Sequence, residues 1–271
     1  MGIQKPGKLN SLHDLLAEGM LAPRWWLEER GYSGSLLKKY ADSGWLVVPA
    51  RGVYRRPGPA LKWQNVAASL QMLSEFSLHI GGRTALAHHG RMHFVPLRGD
   101  ETILLYGPDT LPAWVNALGL PQRFEVRPDS LFGALRVTRD ATLAESDASG
   151  LVTSKWGAWD WELRYSSDER AILELLQDVP QREAVQEADV LMQGLANLRP
   201  ELLSRMLNAC TSVKVKRLFL ALAERHDHAW FKHLDLKGVT LGTGKRMLQP
   251  GGALHPKYLI TLPADLDDQA R

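Results

Sequence analysis

The 271-residue sequence contains a single cysteine, Cys210, and this scarcity excludes two kinds of site. A lone cysteine forms no intramolecular disulfide and cannot supply the several thiolates of a cysteine-rich zinc site. No apolar run reaches the roughly 18 residues that a membrane-spanning helix needs. The opening residues, MGIQKPGKLNSLHDLL, lack the apolar core and cleavage site of a secretory signal. We therefore expect a reduced, cytoplasmic protein.

Motifs of catalysis are also lacking. The sequence has no GxSxG, HExxH or EF-hand spacing, and no carboxylate pair stands apart from polar helix faces. The segment LGTGKR (241–246) resembles part of a phosphate-binding loop, but that motif needs glycine at Val239 and Ser or Thr at Arg246. A structural or phosphate-contacting turn is the better interpretation. We predict that the protein is not an enzyme and uses no cofactor.

Two groups of histidines remain as candidate metal ligands: His88, His89 and His93, and His226, His228 and His233. His89 and His93 have the i, i+4 spacing of a zinc pair, but Gly90 interrupts them and no Glu lies between. We expect surface or hydrogen-bonded histidines rather than a metal site. Cys210 falls on an apolar helical stripe and is interpreted as a small core residue.

Charge is distributed unevenly along the chain. Residues 1–98 carry 13 Lys and Arg against 6 Asp and Glu, a net charge of +7, whereas residues 99–271 carry 20 against 24, a net charge of −4. A basic head on a mildly acidic body is typical of a polyanion-binding domain joined to a domain with another task, although ordinary scatter between two domains is the alternative. The chain length fits two domains, which we place at 1–95 and 96–271.

The segment GSLLKKYADSGWLVVPARGVYRRP (34–57) holds five basic residues and one acid. Two short helices are predicted before it, one capped by Ser11 and one over 23–30 with Pro23 in its first turn. A third helix over 35–43 is followed by the strands WLVV and VYRR around a turn at 49–52. Three helices and a hairpin predict a winged helix-turn-helix core at about 9–58.

In such a domain the helix over 35–43 is the recognition helix, with Ser35, Lys38 and Lys39 on its exposed side. An α-helix fits the major groove of B-DNA, and phosphates on both rims attract the lysines. Arg51 at the hairpin tip, with Arg55 and Arg56 on the return strand, would reach the adjacent backbone or minor groove. The alternatives are a protein-binding winged helix and an edge strand protected by its charges.

The rest of the sequence predicts a mixed α/β domain with a helical segment. A connecting helix is expected over 61–78, and whether residues 61–96 belong to the DNA-binding unit is left open. Strands at 102–107, 123–128 and 133–139 are expected to form one sheet. Helices follow from a capping box at Ser166 and Glu169, and the strand-like segments KGVTLG and KYLITLP close the chain.

A second basic set lies on the predicted helix VKVKRLFLALAERH. Lys214 and Arg217 share a face, with Lys216 beside it, so the face would contact nucleic acid or a partner unless it is simply solvated. Lys245 and Arg246 would extend the set if the fold brings them near. An active site assembled in the body around the histidines is the remaining, less favoured alternative.

The serial order of GSLLKKYADSGWLVVPARGVYRRP, GGRTALAHHG, SSDERAILELLQDV, VKVKRLFLALAER and LGTGKR…GGALHPKYLITLP resembles the AbiEi-type antitoxin and transcriptional-regulator family of type IV toxin–antitoxin and abortive-infection operons. The resemblance implies an α/β (α+β) protein whose winged helix-turn-helix binds inverted repeats in its own promoter, engaged by two copies, and represses it. The C-terminal domain would neutralise a co-encoded nucleotidyltransferase-like toxin without needing a stable complex.

The family's DNA contacts carry over only to the matching positions of this chain: Ser35, Lys38, Lys39, Arg51, Tyr54, Arg55 and Arg56. Residues for the antitoxin function are assigned from charge alone: Lys214, Lys216, Arg217, Lys245 and Arg246.

Overall fold

The computed structural model describes residues 7–73, 76–92, 101–135, 143–248, 251–263 and 266. Within these residues no helix is both long and apolar enough to cross a bilayer.

The N-terminal unit is a winged helix. It contains α1 (Lys8–Leu15), α2 (Arg24–Glu29) and α3 (Gly34–Asp42), with a three-stranded antiparallel sheet of β1 (Ala22–Pro23), β2 (Val47–Ala50) and β3 (Val53–Arg55). The central strand is β3, which pairs with both others. The predicted order of three helices and a hairpin is confirmed, and the short β1 was not predicted.

The starts of the first two helices differ from the prediction. α1 begins at Lys8, so Ser11 lies inside the helix and does not cap it. Pro23 has extended backbone, pairs with Val53 in β1 and precedes α2, because strand pairing uses the residue that was expected to open the helix. α3 follows the expectation more closely: the Ser33 hydroxyl accepts a hydrogen bond from the Leu36 N–H at 3.4 Å.

The helix α4 (Trp63–Met72) leads from the wing to the body and is shorter than the predicted 61–78. The Ser69 hydroxyl accepts a hydrogen bond from the Leu21 N–H at 2.8 Å, which ties α4 to the winged helix. On the other side the Gln71 amide exchanges two hydrogen bonds with the backbone of Arg164 in β8 (Trp161–Ser166). α4 therefore links the two parts of the molecule.

The body is built on a five-stranded mixed sheet in the order β6-β5-β4-β8-β7. Its other strands are β4 (His79–Ile80), β5 (Thr102–Tyr106), β6 (Arg123–Arg127) and β7 (Leu151–Trp156). The pairs β5–β6 and β4–β8 are parallel, and the pairs β4–β5 and β7–β8 are antiparallel. Because β4 is the central strand, His79 and Ile80 belong to the body's sheet.

Helices cover and extend this sheet. They are α5 (Gly82–His88), α6 (Ala113–Ala117), α7 (Leu143–Ala148), α8 (Asp168–Asp178), α9 (Val185–Gly194), α10 (Pro200–Ala209) and α11 (Val213–Arg225). The predicted helical segment is thus confirmed, and Cys210, 3% exposed, is a core residue as expected. α8 is capped by Ser167 rather than Ser166, because the Ser166 hydroxyl donates to Glu174 instead.

Several strand predictions were wrong. Part of the predicted strand 133–139 lies in the 3-10 segment Ser130–Leu135, and its residues from 136 onward are outside the described chain. KGVTLG forms no strand, and of KYLITLP only β10 (Thr261–Leu262) is regular, paired with β9 (Ala253–Leu254). The hairpin β7–β8 was missed, although the alternation of apolar and polar residues in Trp161–Ser166 is the pattern of a half-buried strand.

A buried carboxylate joins the elements of the body. The side chain of Glu174 on α8 is 1% exposed and accepts hydrogen bonds from four donors. They are the His79 ring at 3.1 Å, the Gly82 N–H at 2.9 Å, the Ser166 hydroxyl at 2.7 Å and the Arg170 guanidinium at 2.8 Å. Burial alone would raise the pKa of Glu174, but the bond from His79 and the charges around it lower the pKa below its usual value.

We predict that Glu174→Gln lowers the free energy of unfolding by about 3–5 kcal/mol, because it leaves the buried Arg170 cation without its counter-ion. Urea denaturation followed by circular dichroism measures this change. The matched control is Glu162→Gln, an exposed residue on β8, which should stay within about 0.5 kcal/mol of the parent. Equal stabilities of the two variants would contradict the role given to Glu174.

We also predict acid sensitivity from His79. Burial, and then the charge of Arg170, lower the pKa of His79 against the opposing effect of Glu174. Below about pH 6.5 the unfolded chain therefore binds a proton that the folded chain resists, so the free energy of unfolding falls as pH falls. His79→Gln keeps a donor toward Glu174 and should flatten this decline between about pH 7 and pH 5 by up to about 1.4 kcal/mol per pH unit. The exposed His233→Gln variant should keep the parent's slope.

Candidate nucleic-acid interface

The outer face of α3 presents the predicted recognition residues to solvent. Ser35, Lys38 and Lys39 are exposed, while Leu37 on the opposite side is fully buried in the core. Neither lysine makes an ion pair with any carboxylate in the described chain. The helix therefore offers two unneutralised cations and one hydroxyl on a single exposed face.

The three arginines of the wing differ in exposure and in hydrogen bonding. Arg51 is exposed in the turn between β2 and β3, where Gly52 has a φ of +76°. Arg55 is half-buried and donates to the carbonyls of Pro59 at 2.8 Å and Gly58 at 3.3 Å. Arg56 donates to the His13 carbonyl in α1 at 3.3 Å. These two guanidinium groups hold the wing to neighbouring backbone, although each has further N–H donors.

Arg24 is a surface cation that the sequence analysis did not single out. Its side chain is about half exposed, pairs with Glu28 at 2.8 Å and lies across the start of α3. A Cβ at Gly34 would lie 2.3 Å from its Nη2 atom, so glycine is needed there for this approach. The Arg24 N–H also donates to the Gly52 carbonyl at 2.8 Å, which places Arg24 between α3 and the wing.

The remaining predicted wing residue, Tyr54, is half-buried. It stands opposite Ala22 in the pairing of β1 with β3, a position that makes it partly a packing residue. On the outer strand β2, by contrast, Trp45 just before the strand and Val47 and Val48 within it are exposed. The wing therefore has an apolar side as well as basic positions.

The second basic set does not form the exposed helix face that we expected. Lys216 is 6% exposed and Arg217 is 1% exposed, because α11 is surrounded by other elements along its whole middle part. Lys214 donates to the carbonyls of Gln177 and Val179, both at 2.6 Å, at the end of α8. Burial lowers the pKa of Lys214. Only Lys245 and Arg246 of this set are exposed.

The fold does bring the two parts of that set together. The Arg217 guanidinium donates to the carbonyls of Leu241 at 2.8 Å, Gly242 at 3.1 Å, Gly244 at 2.6 Å and Leu259 at 3.0 Å. The LGTGKR segment is thus wrapped around a buried arginine of α11. Whether these residues act in toxin neutralisation stays a prediction.

The histidines have hydrogen-bond partners of ordinary kinds. His88 contacts the Ser154 hydroxyl at 3.0 Å, and His89 pairs with Asp168 at 2.7 Å. In the second group His226 pairs with Asp189 at 2.8 Å and His228 with the Met192 carbonyl at 2.7 Å, while His233 is exposed. His93 lies outside the described residues. Among the residues that are described, no three His, Cys, Asp or Glu side chains are grouped as metal ligands.

A cavity of about 820 Å³ lies in the body and is lined by residues that include Arg83, Arg127 and Asp178. Its charges largely neutralise each other: Arg83 pairs with Glu183, and Arg127 pairs with Asp178 at 3.1 Å. The charged residues of its lining therefore form a network of ion pairs.

Comparison with known proteins gives the context for these surfaces. The family model described as "Transcriptional regulator, AbiEi antitoxin N-terminal domain" matches residues 5–97. The one described as "Transcriptional regulator, AbiEi antitoxin, Type IV TA system" matches residues 100–263. None of the curated proteins compared with the chain matches it.

A solved structure shares the fold. It is the crystal structure of the RV2827C protein from Mycobacterium tuberculosis, with 17% sequence identity and a TM-score of 0.56 over 97% of this chain and 94% of that one. At this identity the likeness extends to the fold alone. The two family models, by contrast, together account for nearly the whole chain, with the winged helix in the part matched by the N-terminal one. The chain belongs to the AbiEi antitoxin family of transcriptional regulators of type IV toxin–antitoxin systems.

Proposed function

We propose that the protein is a sequence-specific DNA-binding repressor of its own operon and the antitoxin of that operon's toxin. The observation that carries the DNA-binding part is the exposed face of α3, on the same unit as the exposed Arg51 of the wing. Ser35 is exposed on this face, and Lys38 and Lys39 have no ion-pair partner among the described residues. A helix of this kind fits the major groove, and cations on its rim contact phosphates.

Roles follow from position on this surface. Ser35 and Lys38 lie in the N-terminal half of α3, the part of a recognition helix that contacts base edges in helix-turn-helix proteins. Lys39 and Arg51 are assigned to phosphates on either side of the groove. Arg24 is added as a phosphate contact because it lies between α3 and the wing turn. Two copies would occupy an inverted repeat, one on each half-site.

The antitoxin part rests on family membership, since the described residues of the body offer no set that identifies its partner. A co-encoded nucleotidyltransferase-like toxin is the expected target, and neutralisation without a stable complex is the expected mode.

A second candidate function is a protein-binding winged helix. It is favoured by the exposed apolar residues of the wing, Trp45, Val47 and Val48. Because β2 is an edge strand, these side chains flank unpaired backbone groups that a partner strand can use. Co-purification of a partner, together with no binding to any DNA, would favour this function over repression.

We predict that Lys39→Gln with Arg51→Gln weakens binding to all DNA sequences alike, because both residues contact phosphates. The slope of log K against log salt should fall by about 2, roughly one unit for each phosphate that is no longer neutralised. The measurement is fluorescence anisotropy with DNA upstream of the protein's own gene and with shuffled DNA, at several salt concentrations. Lys155→Gln with Lys237→Gln, two exposed lysines of the body, is the matched control and should bind as the parent does.

Ser35→Ala with Lys38→Gln should act differently, because these side chains are placed at base edges. We expect binding to the upstream fragment to weaken by about 1–3 kcal/mol for each base edge that is no longer read, with a smaller effect on shuffled DNA, so that selectivity falls. Equal weakening on both DNAs would move these residues to the phosphate class. Unchanged affinity for the upstream fragment would contradict the assignment of α3 as the recognition helix.

Arg55 and Arg56 need a substitution other than glutamine, since both side chains also bond the wing to neighbouring backbone. Arg55→Lys keeps the positive charge and removes the forked interaction with the Gly58 and Pro59 carbonyls. If Arg55 acts on DNA chiefly through charge, this variant should retain affinity while its thermal midpoint drops. A large decrease in affinity with an unchanged midpoint would instead indicate a direct, forked phosphate contact.

A further inference from the structure

The loop 241–246 ends in the two exposed cations of the second basic set. The buried side chain of Arg217 holds the backbone of this loop from its inner side. Arg217 donates hydrogen bonds to three of its carbonyls, those of Leu241, Gly242 and Gly244. The described peptide bonds here are trans, and a trans peptide points its N–H opposite to the preceding C=O. The N–H groups of Gly242, Thr243 and Lys245 are therefore directed away from Arg217.

These N–H groups face the solvent side of the loop. Residues 242–246 are all exposed, and within the described chain none of the three N–H groups donates a hydrogen bond to protein. Gly242 and Gly244 have φ values of +65° and +77°. When residues with left-handed backbone alternate with right-handed ones, successive N–H groups point to the same side of the chain. Such a row of N–H groups forms a concave anion-binding site.

The charge of the loop is also unneutralised. In the described chain Arg217 makes no contact with a carboxylate, and its four partners are all carbonyls. Lys245 and Arg246 likewise make no ion pair there, and neither does the buried Lys216. The buried Arg170 differs, since it is paired with a carboxylate. A buried cation without a counter-ion attracts an anion at the nearby surface more strongly than an exposed one does.

We propose that the loop 241–246 binds a backbone phosphate of nucleic acid, at a site separate from the winged helix. The phosphate oxygens would accept from the N–H groups of Gly242, Thr243 and Lys245 and from the side chains of Lys245 and Arg246. All of these residues are exposed, so the surface suits a polymer's phosphodiester rather than an enclosed nucleotide. Such a contact carries no sequence information and adds affinity only.

The first test uses nuclear magnetic resonance of the full chain labelled with nitrogen-15. The parent for all samples carries Lys38→Gln and Lys39→Gln, so that duplex bound through α3 does not dominate. Titration with a short duplex of shuffled sequence should shift the amide resonances of Gly242, Thr243 and Lys245. Inorganic phosphate should shift the same resonances, but only at much higher concentration. Shifts with phosphate and none with duplex would overturn the nucleic-acid assignment, and no shift with either would overturn the site.

The second test separates the backbone from the side-chain charges. In the same parent, Lys245→Gln with Arg246→Gln should reduce the salt slope of duplex binding by about 2. Lys232→Gln with Lys237→Gln removes the same charge from exposed positions elsewhere in the body and should leave the slope unchanged. Equal slopes for the two double variants would overturn the proposal.

Thr243→Pro removes one N–H and no charge, so it should weaken binding several-fold while the salt slope stays as in the parent. Its thermal midpoint is measured alongside to establish that the variant is folded. Should the proline substitution distort the loop, Thr243→Ala is titrated instead: it keeps the backbone N–H and removes only the hydroxyl, so the amide resonances of Gly242, position 243 and Lys245 should still shift as in the parent. A folded Thr243→Pro variant that binds duplex as the parent does would overturn the backbone contact.

Discussion

The buried carboxylate of Glu174 is the interaction on which the body of this protein depends. It sits where β4, α5, β8 and α8 meet, and each of these elements sends it a hydrogen-bond donor. A charge in the low-dielectric interior is stable only when such donors replace the water that solvated it in the unfolded chain. Gly81 and Gly82 are part of the arrangement, because a Cβ at Gly81 would lie 2.3 Å from a Glu174 oxygen.

This junction also connects the winged helix to the body. β4 and α5 come from the stretch that the N-terminal family model covers, yet they pack inside the sheet of the C-terminal domain. α4 runs between the two, bonded through Ser69 to Leu21 on one side and through Gln71 to Arg164 on the other. The winged helix is therefore joined to the body by hydrogen bonds as well as by covalent linkage.

The arginines show how one residue type takes different roles in one chain. Arg170 is buried and paired with a carboxylate, Arg217 is buried and surrounded by carbonyls, and Arg51 is exposed on the wing. Spacing in the sequence separates none of these cases, because burial depends on what packs against a helix from elsewhere in the chain. α11 illustrates this: its lysines and arginine resemble a solvated face, but Lys216 and Arg217 are buried and Lys214 is half-buried.

The sequence alone determined the local features of the winged helix, since capping serine, apolar spacing and turn glycine act within a few residues. Ser33, Leu37 and Gly52 illustrate this, and the basic stretch from Lys38 to Arg56 marked the end of the chain expected to bind a polyanion. Apolar spacing also predicted the helical segment of the body, and the order of the motifs indicated the family. Only the tertiary structure decided that His79 belongs to the central strand, that Arg217 is buried and that Arg24 lies over α3. Those outcomes depend on contacts between residues far apart in the chain, which no local pattern encodes.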